Sequence, residues 1–447
     1  MKSLIAATHL AIHKGVEHVG VAMTLVFNAF VLAVHLPSIR RADVVVVMGR
    51  GGFGHTIHGP DIVRRLYQGK RCVFIAFSDY KRHNWKVASI WPDLQMFFLS
   101  YNVGMSIGTH SIRFSVPDWY RKKGPNATIR IARAIAPKGT TVLPLDAIYQ
   151  QVSVPQAVLE KAIKIQAARS IAWNLGYPQI MLSIPAAKAK LPERWQLQVL
   201  RKLSSLSTSG PASVAIKRCC LYLRKKGQSA KDPSDKLRVG SDFEDYTGAI
   251  DLLVKAGYQV WVTGDRRLPK PILQQFHGMV VSGDYIGVKS NIWSLYAATE
   301  ADIFVGETGG GTWLPGVNGM HRLVLNAYPY FYGFPRSWIF YKTVRDQTGH
   351  LVDYHELFQK HAYSYDLPTG MTVHANTKEE ITDAVAQFLT DIQTTGETLA
   401  VHDNGNFIPE HTWFKQAHAK LSPAFVRKFA HGNEPAGGVG AKSDVVA

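Results

Sequence analysis

Cysteine is scarce in this 447-residue chain: Cys72, Cys219 and Cys220 are the only three, and two of them are adjacent. That spacing excludes a disulfide framework and a zinc site built on cysteine pairs. The three read as reduced, buried thiols, in keeping with the cytosol. Acidic residues are also few, 33 Asp and Glu against 51 Lys and Arg, which leaves a formal charge of +18. The excess favours anionic partners such as nucleotide phosphates, lipid phosphates or an anionic membrane surface. The basic residues are dispersed and no nucleic-acid module is visible, which argues against nucleic acid as a partner. No Asp-x-Asp triplet occurs, so the paired carboxylates that would hold a divalent cation against a diphosphate are not apparent.

Formal charge is missing altogether between Glu17 and Arg40. Residues 19–36 are nearly all apolar, and about 18 such residues is the lower limit for crossing a bilayer. His18, Asn28 and His35 would be costly in mid-membrane. The run lacks a small-residue cleavage pattern, so a removable signal peptide is not expected. Three placements are open: a helix lying in or dipping into the membrane, which is preferred, a buried core or partner helix, and a true span. Arg40 and Arg41 follow directly, and in a span they would keep the body of the protein on the cytoplasmic side. The expected location is the cytoplasm, against the inner face of the cell membrane.

What is present is the composition of a folded protein, 46% hydrophobic and 19% charged, on a chain long enough for two domains of about 150 to 200 residues each. Largely apolar runs at 43–48 (DVVVVM), 72–77, 95–99, 214–223, 258–262 and 279–281 read as strands, and stretches with apolar residues three and four apart read as helices between them. The helices are expected from 155 to Gly176, over 191–206, over 243–256, around 292–298, and from an N-cap at Thr377 to 390. Residues 101–143 read as loops and short elements, with Tyr120 and the three basic residues after it as a solvated turn. Strand and helix in alternation imply an α/β fold of two Rossmann-like, doubly wound domains facing a cleft. The expected division is an N-terminal hydrophobic helix at 1–41, a first domain at 42–208 and a second at 209–394. A segment at 395–432 is expected to return to the first domain, with a disordered tail at 433–447.

The chain is organised around residues 301–326, ADIFVGETGGGTWLPGVNGMHRLVLN. Two short apolar runs flank Gly309, Gly310 and Gly311, which sit where a crossover helix from Thr312 would begin. Without Cβ atoms the backbone can approach a ligand closely, and amides at a helix start suit an anion. The same glycines could also serve only a tight turn between packed elements. Glu307 and Thr308 precede them; Glu307 could hold a ribose or sugar hydroxyl, or cap the helix that follows. A second strand, loop and helix unit runs through GRGGFGHTIHGPDIVRRL, with Gly51, Gly52 and Gly54 in the loop, and Pro60 suits the first turn of its helix. His55 and His58 in that loop could take a proton from an acceptor hydroxyl, or merely bind the loop backbone. Two histidines with no evident third ligand fall short of a zinc site. Arg224 ends a strand, and a guanidinium there can grip a diphosphate and stabilise charge on a departing nucleotide. Arg238, ahead of a helix, could fold back on the same phosphates. Asp265 ends another strand and is a weaker candidate for a hinge or sugar contact.

This order of motifs resembles a bacterial family of glycosyltransferases with the GT-B fold, associated with surface polysaccharide and glycoconjugate synthesis. The resemblance covers residues 43–389 in outline and is strongest from Cys220 to Pro329, through CLYLRKKG, FVGETGGGTWLPGVNG and LVLNAYP. It differs from the HxRxxD pattern of related motifs in having Tyr222 in place of the histidine and Lys225 and Lys226 after the arginine, and Glu307 stands where a small hydroxyl residue is favoured. The resemblance implies a transferase that moves a sugar from a nucleotide donor to a hydroxyl of a glycan or lipid-linked acceptor. Its donor is held by Gly309 to Thr312 and Arg224, its base is His55 or His58, and it uses no cofactor and no metal. Two alternatives stay open: a sugar-nucleotide epimerase of the same fold, and a non-catalytic membrane module that binds anionic glycan or lipid.

Overall fold

The computed structural model describes residues 2–50, 53–78, 85–107, 110–115, 118–152, 169–206, 217–224, 240–264, 268–276, 278–328, 335–354, 357, 369–395 and 420–429. The first part of the chain supplies helix α1 (Lys2–Arg41), β1 (Val44–Arg50), α2 (His55–Leu66), β2 (Cys72–Ser78), β3 (Leu94–Ser100) and a hairpin of β4 (Asn102–Ile107) and β5 (His110–Ser115). It continues with α3 (Asp118–Ile135), β6 (Thr141–Pro144), α4 (Leu145–Val152), α5 (Arg169–Ser183) and α6 (Glu193–Ser204). The second part runs β7 (Lys217–Leu223), α7 (Thr247–Lys255), β8 (Tyr258–Gly264), α8 (Lys270–Gln275), β9 (Val280–Ser282), α9 (Ser290–Glu300), β10 (Ile303–Glu307), α10 (Trp313–Val317) and β11 (His321–Ala327). It ends with β12 (Ser337–Tyr341), β13 (Thr343–Arg345), β14 (Thr372–His374), α11 (Lys378–Thr395), β15 (Lys420–Leu421) and α12 (Pro423–Phe429).

Two parallel sheets form, in the orders β3-β2-β1-β6 and β15-β12-β11-β10-β7-β8-β9. Both faces of β1 are buried, and successive residues divide between them. Val44, Val46 and Met48 pack toward α2 and the second sheet, while Val45 and Val47 pack toward α1 and α3. The continuous valine run is the direct consequence, because a strand covered on both faces has no solvent side on which to place polar residues. The same division sets Cys219 and Leu221 against one core and Cys220 against another. All three thiols are free and buried, and desolvation holds Cys72 at about 11 and Cys220 at about 12.

One core joins the sheets. Val46, Phe74 and Ile57 of the first part lie in the same apolar cluster as Trp293, Phe304 and Trp313 of the second. Buried polar bonds cross the same boundary: Asn318 Nδ2 donates to the Ala189 carbonyl at 3.1 Å, its Oδ1 accepts from the Ala189 N–H at 2.9 Å, and Arg65 reaches the Val317 carbonyl at 3.4 Å.

Several expectations need correction. The helix expected to stop at Gly176 continues to Ser183 with Pro178 inside it, since Tyr177 is fully buried and bonds to Asp61 at 2.7 Å. Residues 118–135 are one helix rather than loops and a solvated turn. Its Gly124 and Pro125 lie against Tyr120 and Gly49, so packing on β1 outweighs the turn tendency of the Gly-Pro pair. Pro60 sits in the second turn of α2, because that helix already begins at His55. The described end of the chain joins the second sheet, not the first: β15 pairs with β12, and Phe425 and Phe429 of α12 pack on Phe340 and Tyr354. The cap expected at Thr377 is present as a reciprocal pair, with Glu380 N–H donating to Thr377 Oγ1 and Thr377 N–H donating to Glu380 Oε2.

Candidate functional site

In an open parallel sheet the ligand crevice lies at the carboxyl edge where strand order reverses, because loops from neighbouring strands diverge there to opposite faces. In the second sheet β7 is flanked by β8 on one side and β10 on the other, which puts the reversal between β7 and β10. Arg224 leaves the end of β7, and Glu307, Thr308 and the three glycines leave the end of β10. In the first sheet β1 lies between β2 and β6, so the reversal falls between β1 and β6. The loop with Gly54 and His55 leaves β1, and α4 with Tyr149 leaves β6. The two reversal points meet. A Cβ built on Gly54 would lie 2.8 Å from Trp313 Nε1 and 3.7 Å from Gly310 Cα, and one on Gly310 would lie 3.1 Å from the Gly54 amide nitrogen.

The glycine loop is half-buried, neither sealed nor fully open. Part of its glycine requirement comes from the protein itself. A Cβ on Gly311 would fall 2.5 Å from the Tyr222 ring, and one on Gly309 would fall 3.1 Å from the Tyr222 hydroxyl and 3.6 Å from Arg224 Cδ. Tyr222, standing where related motifs carry histidine, therefore floors the loop, and the Arg224 stem runs beside it. Thr312 closes the turn, donating from its hydroxyl to the Gly309 carbonyl at 2.7 Å. Arg322, fully buried, donates to the Thr312 carbonyl at 3.0 Å, and desolvation lowers it to about 9. The helix after the loop is only five residues long, so its dipole contributes little field at the loop.

Glu307 and Thr308 do not project into the crevice. Glu307 is 1% exposed. Its Oε2 accepts from the Arg224 N–H at 2.7 Å and its Oε1 from the Tyr246 hydroxyl at 2.9 Å, with Asn326 Nδ2 at 3.5 Å. The structure thus gives it a structural role in place of the expected sugar contact or helix cap. Thr308 is buried, and its hydroxyl donates to the Asn326 carbonyl at 3.3 Å. Gly51, Gly52, Arg238 and Asp265 lie outside the described residues.

The two histidines occupy different environments. His55 is exposed at the start of α2, whereas His58, one turn on, is 1% exposed. The His58 ring lies 4.5 Å from Trp313 and 4.8 Å from His55, and its Nδ1 is 3.1 Å from the Tyr149 hydroxyl. Desolvation, with a smaller contribution from His55, pushes His58 well below its usual value, and burial pushes Tyr149 well above its own. Both rings are therefore neutral at pH 7, and the phenol can donate to Nδ1 of a neutral imidazole. Tyr177, Asp61 and Arg65 form a second buried layer, with both Tyr177 and Arg65 donating to Asp61 Oδ2 at 2.7 Å. Of the two, His55 alone is exposed, and His58 is packed beneath the loop against Trp313 and Tyr149.

A testable consequence concerns pH and stability. A histidine held neutral by burial binds its proton more weakly folded than unfolded, so its contribution is complete above the unfolded value of about 6.5 and is lost as pH falls below it. The slope is at most about 1.4 kcal/mol per pH unit. Between pH 7.5 and 5.5, urea unfolding should show a steeper loss of stability for the wild type than for His58→Gln. Parallel curves would mean that His58 is not held neutral.

Tyr149, Tyr177, Trp313 and Tyr222 were not singled out as site residues from sequence. Trp313 directly follows the glycine loop and could have been; the tyrosines arrive through sheet order and packing, which no local pattern encodes. A pocket of about 360 Å³ lies at the carboxyl ends of β8 and β9, lined by Leu268, Leu273, Ser282, Asp284 and Tyr285. Among the described residues no group of three His, Cys, Asp or Glu could hold a metal ion.

No protein-family model and no curated protein matches the sequence. Solved structures of similar outline include a family 9 glycosyl transferase from Veillonella parvula, at 11% identity and a TM-score of 0.42, covering 78% of this chain and 97% of that one. The E. coli heptosyltransferase WaaC with ADP-2-deoxy-2-fluoro heptose is similar at 12% identity and a TM-score of 0.32, covering 68% and 93%. UDP-GlcNAc 2-epimerase from Neisseria meningitidis bound to UDP-GlcNAc is similar at 10% identity and a TM-score of 0.28, covering 63% and 82%. At such identities and scores the chemistry must be decided by the site itself.

Proposed function

We propose that this protein is a glycosyltransferase that moves a sugar from a nucleotide-sugar donor to a hydroxyl of a glycan or lipid-linked acceptor. One observation carries the reading: the reversal points of two parallel sheets touch, one bearing an exposed histidine and the other a half-buried glycine loop beside an arginine. Opposed walls of that kind suit a reaction between two polar substrates. The amides of Gly309, Gly310 and Gly311, with Arg224, would take the donor diphosphate, and the nucleoside end would extend along the same carboxyl edge toward the pocket after β8 and β9. His55 would remove the proton from the acceptor hydroxyl. The resulting oxygen would attack the anomeric carbon as its bond to the diphosphate breaks, and Arg224 would balance the charge on the departing nucleoside diphosphate. With that charge supplied by the arginine and the amides, the step needs no divalent cation. The +18 balance suits both the nucleotide and a site of action at the inner face of the cell membrane.

Thermal unfolding against a panel of nucleotide sugars tests the donor half. A cognate donor at about a hundred times its Kd should raise Tm by roughly 3 °C. Arg224→Ala should weaken that donor by roughly 10- to 100-fold. No shift with any nucleotide sugar would overturn the reading. For an epimerase, which needs no acceptor, nucleotide sugar would be converted in its absence; release of nucleoside diphosphate only when acceptor is present supports transfer.

A further inference from the structure

The residues of α1 are arranged the opposite way round from those of a helix on a water-soluble protein. Such a helix turns its apolar stripe to the core and its polar residues to solvent. From His18 to Arg41, a segment long and apolar enough to cross a membrane by length and composition, the polar residues of the middle turns face inward. Thr24 and Asn28 are buried. Asn28 Nδ2 donates to the Ser100 carbonyl at 3.0 Å and to the Tyr120 hydroxyl at 2.9 Å, and its Oδ1 accepts from the Ser100 N–H at 2.8 Å. His35 stacks on Phe97 with ring centres 4.1 Å apart, and burial lowers its pKa. The opposite half of the surface presents Val19, Leu25, Val26, Phe30 and Val34, between 47% and 70% exposed.

An outward apolar face of this length implies an apolar surrounding on that side. A span is disfavoured, because the inner face is docked by hydrogen bonds onto β3 and α3 and lies against β4 and β5, which places the folded body alongside the helix, not beyond its end. The flank indicates the partner. Tyr120 of α3 receives the bond from Asn28, and its neighbour Trp119 is 55% exposed, with Lys122 and Lys123 exposed one turn on. Arg40 and Arg41 are exposed at the end of α1. An apolar helix face flanked by an exposed tryptophan and cations matches the boundary between acyl chains and acidic headgroups. A second copy meeting this face about a two-fold axis would have to cover the same cationic flank with itself.

We propose that the outward face of α1, together with Trp119, Lys122 and Lys123 of α3, seats the protein in the plane of an anionic bilayer without crossing it. The proposal does not depend on the transfer reaction. It is tested with the full chain by flotation on vesicles of phosphatidylcholine alone and with phosphatidylglycerol. Binding is expected only with the acidic lipid, weakened by salt and released by alkaline carbonate. Val26→Glu with Phe30→Glu should abolish flotation, and Lys122→Glu with Lys123→Glu should weaken it by about tenfold or more. All four positions are exposed, so unchanged circular dichroism and Tm would verify folding. The proposal is overturned by any of three results: no flotation on acidic vesicles, resistance of the bound protein to carbonate, or a discrete dimer that Val26→Glu with Phe30→Glu converts to monomer in place of flotation.

Discussion

His55→Ala is expected to lower turnover by roughly 10²- to 10⁴-fold, the range for removal of a general base, while leaving donor-induced stabilisation nearly unchanged. The separation follows from placement. His55 belongs to the wall built on β1, and the groups assigned to the donor leave β7 and β10. Its side chain is exposed, so its loss should cost little folding stability, unlike that of the buried His58. Added imidazole should restore part of the activity to the alanine variant, since it can enter the vacated space and accept the proton. Turnover within about threefold of wild type would remove His55 from the mechanism. Equal loss of donor binding and turnover would show that the substitution disturbs the glycine loop across the contact at Gly54, and that the histidine itself carries no proton.

The parts of this site that were legible in the sequence were those that are contiguous in it. The run through FVGETGGGT puts strand, loop and turn within nine residues, and a buried parallel strand followed by glycines declares both its own end and the edge on which a ligand would sit. Arg224 was legible for the same reason, as the first residue after a strand. What the sequence could not express was juxtaposition. Tyr149 reaches His58 only because β6 lies beside β1, and Tyr222 floors the glycine loop only because β7 lies beside β10. The helix through Gly124 and Pro125 was hidden because local turn preference and tertiary packing disagree there, and packing wins. In α1 the apolar run was plain, but the inward direction of Asn28 depends on Ser100 and Tyr120, far away in sequence. Glu307 followed the same logic: its position beside the glycines suggested a ligand contact, and only the fold shows that it faces away.

The largest loss of stability is expected from Glu307. This buried carboxylate accepts hydrogen bonds from the Arg224 amide, the Tyr246 hydroxyl and the Asn326 amide group. Asn326 is itself held with φ +50 by a reciprocal pair with Asn376, in which each backbone N–H donates to the other's side-chain oxygen at 2.6 and 2.7 Å. Ser241 completes the set, taking a bond from Asn326 Nδ2 at 2.9 Å and donating to the Asn376 carbonyl at 2.7 Å. Glu307→Ala would leave several buried donors facing a void, and a buried donor left unsatisfied costs about 1–3 kcal/mol. The variant should therefore lose roughly 3 kcal/mol or more in urea unfolding. Glu307→Gln tests the direction of the bonds. Its amide offers one oxygen where two accept now, so its NH2 must face either the Arg224 N–H or the Tyr246 hydroxyl, and it should rescue only part of the loss. Because the Arg224 backbone is fixed by Oε2, both variants should also weaken donor binding, the alanine more. If Glu307→Gln matched wild type in stability and in donor affinity, Oε2 would not be what sets Arg224 beside the glycine loop.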